Sequence, residues 1–420
     1  MLDFVFLYPL FMSTLWMAGG LYFYIRLERQ WKWGEQSSAR EVPGLPNRPL
    51  VTIIITCFNH EKHIEAALLA ALQQRHDHIE VLAVNDGSTD ASAKILDRMT
   101  ALRPRLRVLH LSEHQGKAMA LRMGSLAANS EYLVCINGDA ILDPDAVALL
   151  VRPMLDTPRV GAVSGNPRVR TRSTLVGRIQ VGEFSSISSL IKRTQRIYGQ
   201  VFTVSGTVAA FRRKALDRVG YWSLDMLAEN IDISWKLQRD HWSIFYEPRA
   251  LAWILVPETL HGLWKQRLHQ AQGGAEALLK HIGSLFHWRS RRMWPLLAEF
   301  ALSTLWAYAF ALSILLYLLG LFVQLPHHLR VEALLPPALT GLVLAATCLL
   351  QFAVSMAIDR RYEKGLTRTL FWVVWYPMVF WMISLFTSLV SFPRVMLRSQ
   401  RQRARWVSPD RGIKQLDGTP

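Results

Sequence analysis

Polar side chains follow several apolar runs of this sequence, at points where a buried strand gives way to a turn. Thr56 and Asn59 end or follow "LVTIIIT", Asp86 ends "EVLAVND", and Asn137 with Asp139 ends "YLVCINGD". Helical patterns separate these runs, and strands that alternate with helices form parallel sheets with covered faces. Ligands of such sheets bind outside the carboxyl ends of the strands. The spacing therefore predicts a ligand site at these polar positions.

A second chemical stretch is "DMLAENIDISWKLQ", which has the features of an active-site helix start. It is acidic and lies between a basic segment and a buried one. Within it, Asn230 carries an amide, which does not serve as a general base. On a helix, Asp232 is about 200° around from Asn230, and Glu229 is about 100° away. We therefore expect neither carboxylate to take the place of a base at position 230.

The composition indicates an anionic partner. The formal net charge is +16, which favours nucleic acid, lipid headgroups or a phosphorylated substrate. The basic residues cluster beside apolar runs, which fits headgroups better, and no nucleic-acid motif is visible. We expect no nucleic-acid partner. The three cysteines, Cys57, Cys135 and Cys348, are far apart and form no CxxC pair. We therefore expect neither a disulfide framework nor a zinc site, and a reducing compartment is favoured.

Long apolar runs at both ends of the chain predict membrane spans, because each is long enough to cross about 30 Å of hydrocarbon. They are Phe4 to Ile25, Ala298 to Leu325, Leu334 to Ile358 and Leu370 to Phe392. The first run lacks the basic start and cleavage site of a signal peptide. Basic residues follow it, so we expect an anchor whose C-terminal end is in the cytoplasm.

The basic tail conflicts with four full spans. Four spans place the C-terminus outside, yet five arginines follow the last run closely, at Arg394, Arg398, Arg401, Arg403 and Arg405. Such residues belong inside. We expect one C-terminal run to be re-entrant or interfacial, and Leu370 to Phe392, which contains Pro377, is the candidate.

Composition shifts divide the chain into five segments. We expect an N-terminal anchor (1–33), a cytoplasmic α/β domain (34–256), amphipathic interfacial helices (257–297), transmembrane or re-entrant helices (298–393) and a basic tail (394–420).

Six motifs in order resemble those of membrane-bound, processive family 2 glycosyltransferases, and most closely the enzymes that make poly-β-1,6-N-acetylglucosamine. The motifs are "TCFNHEKHIEAAL", "VLAVNDGSTD", "HQGKAMAL", "YLVCINGDAILD", "RIYGQVFTVSGTVAAFRR" and "LWKQRL" with "AQGGAE". The resemblance covers nearly the whole chain. It implies a GT-A fold, an α/β domain with a mostly parallel sheet, with transmembrane helices at both ends.

The resemblance also implies an activity and a location. It implies a UDP-N-acetylglucosamine donor, Mg²⁺ or Mn²⁺, and inverting transfer to a growing glycan. A metal would neutralise the diphosphate leaving group, and a base would take the acceptor's proton. The implied location is the bacterial inner membrane, with several spans and a cytoplasmic transferase domain. A small membrane accessory subunit is the implied protein partner.

Some positions keep the family's residues on the donor side. Asp86 matches the position that binds the uridine end of the donor, and Lys117 of "GKA" matches a donor-loop position. Thr56 and Asn59 belong to the first motif and are further substrate-binding candidates. The plainer alternatives are a turn aspartate that caps the next helix and a solvated lysine at a helix start.

Other positions keep part of the metal and acceptor motifs. Asp139 matches the second carboxylate of the family's DxD metal motif. Gln266 and Arg267 match the start of QxxRW, the acceptor and diphosphate motif.

The remaining motif positions are substituted. The DxD motif reads "NGD" with Asn137 first, so we expect weakened binding of Mg²⁺ or Mn²⁺. The QxxRW motif reads "QRLHQ", with His269 and Gln270, which supply neither an arginine fork nor a ring for a sugar. The T-E-D motif reads "AEN", and the base position holds an amide. The substituted positions are His60, His114, Asn137, Ala228, Asn230, His269 and Gln270.

Two functions remain after this comparison of motifs. The first is a folded transferase scaffold with no activity or severely impaired activity, which binds UDP or UDP-N-acetylglucosamine weakly. The second is an active inverting transferase that polymerises UDP-N-acetylglucosamine with Glu229 or Asp232 as the base. We favour the first, because the substitutions lie at chemical positions while the apolar framework is intact.

Overall fold

The centre of the molecule is one twisted sheet. A computed structural model describes residues 2–31, 42, 44–331, 338–363, 365–373 and 376–397. The sheet has eight strands in the order β3-β2-β1-β4-β7-β6-β8-β5. Their bounds are β1 Val51–Cys57, β2 Ile79–Asp86, β3 Leu106–Leu111, β4 Tyr132–Asn137, β5 Ile141–Leu142, β6 Val160–Val169, β7 Val208–Arg212 and β8 Ser243–Ile254.

The sheet is mostly parallel, as the apolar runs predict. β1 pairs in parallel with β2 and β4, β2 with β3, and β6 with β8, while β7 and β5 pair antiparallel with their neighbours. Alternate residues of β1 enter two separate apolar clusters, Ile53 and Ile55 on one face and Ile54 on the other. Both faces of the sheet are therefore covered, which is why the strand sequence is apolar throughout.

Helices cover the sheet and extend beyond it at both ends of the chain. Their bounds are α1 Leu2–Arg26, α2 Ile64–Leu72, α3 Ser92–Leu102, α4 Lys117–Ala127, α5 Ala146–Asp156, α6 Leu175–Glu183, α7 Leu190–Ile197, α8 Arg213–Val219, α9 Glu229–Arg239, α10 Leu260–Leu285, α11 Trp294–Gly320, α12 Ala338–Asp359, α13 Leu370–Val373 and α14 Tyr376–Leu397. A π-helical turn at Phe184–Ser189 joins α6 to α7.

Four helical segments of the described chain have the length and composition of membrane spans. They are Leu2–Gln30, Trp288–Gly320, Gly341–Asp359 and Val379–Leu397. Two helices cover the fourth apolar run of the sequence, α13 up to Val373 and α14 from Tyr376, and residues 374–375 between them lie outside those described. A re-entrant path for this run stays a prediction. The basic tail from residue 398 onward, and the linker at 32–41, lie outside the described residues.

The helices α6 and α7 attach the sheet domain to the apolar helices. α7 packs against α1, where Thr194 Oγ1 donates a 3.0 Å hydrogen bond to the carbonyl of Trp16. The fully buried Arg193 guanidinium contacts Glu28, just after α1, and lies 2.8 Å from Asp359 at the end of α12. Arg168 of β6 lies 2.8 Å from the same aspartate. One buried ionic cluster thus joins the sheet to two apolar helices.

Candidate functional site

A cavity of about 470 Å³ lies at the carboxyl ends of β1, β2 and β4. This is the edge of the sheet at which the polar strand ends were expected to meet. Nearly all of the candidate residues line it: Thr56, His60, Asp86, His114, Lys117, Asn137, Asp139, Ala228, Glu229, Asn230, Gln266, Arg267, His269 and Gln270. Two candidates do not line it, the alternative base Asp232 and Asn59. The backbone of Asn59 has φ 54°, and its side-chain oxygen accepts the Thr89 N–H at 2.8 Å.

Asp86, at the end of β2, holds the loop that begins α4. Its carboxylate accepts the backbone N–H groups of Gln115 and Gly116 at 2.8 and 2.9 Å. His114 Nδ1 lies 2.8 Å from the same carboxylate, and its ring stacks on Phe58 with centroids 3.7 Å apart. Asp86 therefore fixes the loop just before α4 and has a position in the cavity wall, and it caps neither α3 nor α4. The imidazole fills space beside it.

Gly87 allows this loop to approach the end of β2. Its φ is +65°, and a Cβ there would overlap the backbone of Glu113 and His114. Only glycine fits both requirements, because it has no Cβ and adopts positive φ readily. The "NDG" sequence is thus explained by the turn itself.

Lys117 connects the start of α4 to the loop that follows α7. Its Nζ donates to the carbonyl of Gly206 and lies 3.2 Å from Glu229 Oε1. A Cβ added to Gly206 would lie 3.6 Å from Asn230 Cγ and 3.7 Å from Lys117 Nζ. Lys117, Glu229 and Asn230 therefore form one patch of the cavity wall, and the carboxylate in that patch already has an ion-pair partner.

Asn230 is in the first turn of α9 and faces the loop Thr203–Thr207. Its amide nitrogen donates to Thr203 Oγ1 at 2.8 Å and to the carbonyl of Val204 at 3.3 Å. Thr203 Oγ1 and the Val204 carbonyl both accept hydrogen bonds here, and the amide nitrogen of Asn230 is the donor to both.

Asp232 lies on another side of α9 and is fully buried. His281 Nε2 is 2.9 Å from its carboxylate, and Lys280 Nζ is 3.4 Å away. Burial opposes ionisation of this carboxyl, but hydrogen bonds from His281 and Ser223 and the charge of Lys280 outweigh it. Together they lower its pKa to about 2. Asp232 does not line the cavity, which agrees with its helical angle from Asn230.

Asn137 and Asp139 are the candidate metal ligands. Asn137 ends β4, and its side-chain oxygen is buried without a hydrogen-bond partner among the described residues. A Cβ at Gly138, between the two, would lie 2.6 Å from His60 Nδ1. Amide and carboxylate oxygens are ligands that Mg²⁺ and Mn²⁺ accept. Within the described residues, no group of three His, Cys, Asp or Glu side chains has the geometry to hold a metal.

α10 brings the second half of the predicted site to the cavity. Arg267 Nη2 lies 2.6 Å from Glu183 Oε1, and Arg267 Nη1 donates to Gln270 Oε1 at 2.9 Å. Tyr376 of α14 donates to the other oxygen of Glu183 at 2.6 Å. The arginine of "QRLHQ" is therefore bound in a contact between α6, α10 and α14. Gln266 Oε1 is buried without a hydrogen-bond partner among the described residues.

Several lining residues were not anticipated from the sequence. Phe184 of the π-helical turn, Lys192 of α7, and Phe202 with Thr203 of the following loop all line the cavity. A signal was present for Lys192, since "LIKRTQR" places two consecutive cations directly after apolar residues in a short helix. That helix was not assigned to the site.

The fold is that of a GT-A nucleotide-sugar transferase. The chain has a TM-score of 0.61 and 20% identity to a mannosyltransferase of Pyrobaculum calidifontis solved with GDP-mannose and Mn²⁺, over 94% of this chain and 99% of that one. Residues 52–220 match the model of glycosyl transferase family 2. The predicted GT-A fold, with a mostly parallel sheet and apolar helices at both ends, is confirmed.

Relatives that match over nearly the whole chain define its family more narrowly. The chain is 37% identical over 419 residues to poly-β-1,6-N-acetyl-D-glucosamine synthase of Staphylococcus aureus, covering 98% of this chain and 99% of the relative. It is 34% identical over 416 residues to the synthase of Staphylococcus epidermidis, with 98% of each chain covered. The chain therefore belongs to the family 2 glycosyltransferases, in the group of these synthases.

Proposed function

We propose that this chain is a scaffold like the poly-N-acetylglucosamine synthases that retains a donor cavity but has little or no transferase activity. Its ligand would be UDP-N-acetylglucosamine or UDP, since the relatives are named for an N-acetylglucosamine polymer. The donor wall supports binding: Asp86, Lys117 and Asp139 line the cavity. The substituted motif positions Asn137, Asn230, His269 and Gln270 support the loss of activity.

The observation that carries the proposal is the amide at Asn230. Inverting transfer needs a base that takes the proton of the acceptor hydroxyl, and losing such a base typically costs about 10²–10⁴ in rate. The amide nitrogen of Asn230 donates to Thr203 and to Val204. An amide has no basic lone pair to exchange for that proton, so the step lacks its acceptor.

The neighbouring carboxylates are poor replacements. Asp232 is buried against His281 and is absent from the cavity lining. Glu229 lines the cavity, but it is held 3.2 Å from the Lys117 ammonium. A substrate would have to displace this ammonium before the Glu229 oxygen that it contacts could accept a proton.

The metal position retains part of its ligand set. Asn137 and Asp139 both line the cavity, and they would hold a divalent cation together with phosphate oxygens of the donor. A bound metal would neutralise the diphosphate leaving group. With one carboxylate replaced by an amide, the pair carries one negative charge fewer, so we propose that cation affinity is weakened.

The acceptor side is also altered. His269 and Gln270 replace the arginine and the tryptophan of the family motif, and Arg267 is bound to Glu183. A histidine is only partly charged at neutral pH and forms no bidentate fork with phosphate. These losses act on the same transition state as the missing base, so they do not multiply fully.

We further propose a location and a partner on the same basis. The four apolar segments would cross the bacterial inner membrane or re-enter it, with the GT-A domain in the cytoplasm and α10 at the membrane surface. The interfacial segment would be 257–297 and the membrane segment 298–393. A small membrane accessory subunit would bind the apolar helices.

An active transferase is the second candidate, and one observation favours it. Glu229 lies next to the base position and lines the cavity. It would act as the base if the substrate displaced Lys117 from it.

UDP release separates the two candidates. Membranes containing the chain are given UDP-N-acetylglucosamine and Mg²⁺, and released UDP and polymer are measured. Binding of UDP to the purified chain is measured in parallel. The proposal expects binding without release above that of membranes lacking the chain. Polymer, or steady release well above that background, refutes it in favour of the active transferase.

A further inference from the structure

Lys192 is a cation in the cavity wall that the family motifs do not include. It lies on α7, its side chain is about nine-tenths buried, and it lines the cavity. Its Nζ donates to Ser164 Oγ at 3.1 Å and lies 5.8 Å from the centre of the Tyr246 ring. These are neutral partners, and a buried ammonium ordinarily has an anionic one.

The other cations of the cavity differ from Lys192 in this respect. Lys117 has Glu229 and Arg267 has Glu183 within ion-pair distance. The carboxylates that contact α7 have other partners, because Glu28 and Asp359 pair with Arg193 and Glu299 accepts from Gln195. Among the described residues, no carboxylate forms an ion pair with Lys192. Burial lowers the pKa of Lys192 to about 8, and a bound anion would favour its protonated form.

Lys192 is connected to the donor side of the cavity through one loop. Ser164 Oγ, which accepts from Lys192, also accepts the backbone N–H of Ser205 at 2.9 Å. The next residue, Gly206, accepts from Lys117. The two lysines are therefore connected through Ser164 and this short loop segment, and both line the same cavity.

We propose that Lys192 is a phosphate-binding residue of this cavity. A phosphate group would supply the anion that the buried ammonium lacks, through a charge-assisted hydrogen bond. Two sources have this chemistry: the diphosphate of the nucleotide, and the headgroup of a lipid phosphate. The inference rests on the proposed ligand cavity, but not on whether turnover occurs.

The test uses the full chain in neutral detergent with two variants. K192M removes the ammonium, and K192Q removes the charge while keeping a donor for Ser164. K94M is the matched control, because Lys94 is an exposed lysine. The probes are UDP, uridine, which has no phosphate, and dodecyl phosphate as a single-chain lipid phosphate. Affinities and the unfolding temperature are measured for each variant.

We expect K192M and K192Q to weaken phosphate binding by about 10- to 100-fold, while K94M has no effect. Loss of UDP affinity with uridine unaffected identifies the nucleotide diphosphate. Loss of dodecyl phosphate affinity alone identifies a lipid phosphate. Removing an unpaired buried charge also removes a desolvation cost, so the unfolding temperature should stay level or rise.

Two results overturn the inference. Unchanged affinity for both phosphates in both variants shows that Lys192 does not contact the ligand. Failure to fold, or a marked fall in unfolding temperature together with the loss of binding, shows that its role is structural. The proposed function fails separately, if the unaltered chain binds neither UDP nor UDP-N-acetylglucosamine. The lipid phosphate result then still decides the role of Lys192.

Discussion

Asp232 shows how a carboxylate beside the base position serves stability. It is fully buried on α9, and His281 and Lys280 of α10 lie within ion-pair distance of it. Arg239 donates to His281 Nδ1 at 2.8 Å, which leaves His281 Nε2 as the donor to Asp232. The carboxylate is therefore part of the contact between α9 and α10.

We predict that Asp232→Asn destabilises the chain in a pH-dependent way. A pKa lowered from 3.8 to about 2 corresponds to about 2 kcal/mol of stability from the ionised form. This stabilisation is complete at pH values above the pKa of Asp232 in the unfolded chain, and it is lost as the pH falls from about 4 to about 2. The loss on mutation should therefore be about 2 kcal/mol at pH 7 and fall to about 0.4 kcal/mol at pH 2, measured by thermal or denaturant unfolding in detergent.

Asp240→Asn is the control for this prediction. Asp240 pairs with Arg218 in an ion pair whose two side chains are 59% and 30% exposed, and such pairs contribute about 0–1 kcal/mol. An equal effect of the two substitutions, or a loss at Asp232 that does not change with pH, is inconsistent with a buried ionised Asp232.

Asn137 permits a direct prediction about the metal. We expect Asn137→Asp to raise the affinity for Mn²⁺ by about 10-fold or more, because a carboxylate adds a negative charge to the oxygen ligands. The measurement is Mn²⁺ titration of the UDP complex, followed by electron paramagnetic resonance. The exposed Asn47→Asp is the control, since it adds the same charge far from the cavity. Equal gains at both positions would indicate a general charge effect.

At the scale of elements, α10 has to lie close to the loop before α9. A Cβ at Gly273 would overlap Ala228, whereas a Cβ at Gly283 in the same helix has no neighbour within 4 Å. The "GG" of α10 is thus explained at Gly273 by a close contact of helix and loop, at the edge of the cavity. The substituted Ala228 lies at this contact.

These two glycines form a matched pair for mutation. We predict that Gly273→Ala costs about 1–3 kcal/mol by overpacking. Gly283→Ala should raise stability by up to about 1 kcal/mol, because alanine favours the helix more than glycine does. Unfolding temperatures in the same detergent check both. A tolerated alanine at 273 would contradict the close contact of α10 with Ala228.

Much of the sheet domain is predictable from local sequence. Continuous β-branched runs such as "LVTIIIT" indicate strands with two covered faces, and the polar residues after them mark the site edge. The local sequence does not predict β7 as a strand of this sheet or α7 as part of the site, because the roles of both depend on distant partners. Arg193 and Lys192 are consecutive, yet one enters a buried ionic cluster and the other a cavity, and no local pattern distinguishes them. Motif positions such as Gln266 were predictable only by resemblance.

At the scale of the whole molecule, a buried ionic cluster joins the GT-A domain to the apolar helices. Arg193, Glu28 and Asp359 have no exposed side-chain surface, and Arg168 adds a second cation. The tyrosine hydroxyl of Tyr362 donates to Glu28 at 2.7 Å. Short sequence motifs do not predict this cluster, because its members are far apart in the sequence. Each member is nevertheless polar and flanks an apolar run.

We predict that Arg193→Met destabilises the chain by about 3–5 kcal/mol, because it leaves the buried Glu28 without its cation and removes one of the two cations of Asp359. Hydrogen exchange should increase in α7 and at the end of α1. Arg218→Met is the control, at an exposed ion pair, and should change stability by at most about 1 kcal/mol. A mild effect of Arg193→Met, with exchange in α7 unchanged, would show that the cluster does not hold the domain.

Turnover of UDP-N-acetylglucosamine tests the central claim most directly. UDP release with Mg²⁺ is measured for the chain, for Asn230→Asp, and for the fourfold variant Asn137→Asp, Asn230→Asp, His269→Arg and Gln270→Trp. If the four substitutions act together, we expect almost no UDP release from the chain and little from Asn230→Asp. The fourfold variant should release UDP at least about 10²-fold faster than the unaltered chain. Substantial release from the unaltered chain, or full recovery by Asn230→Asp alone, would contradict it.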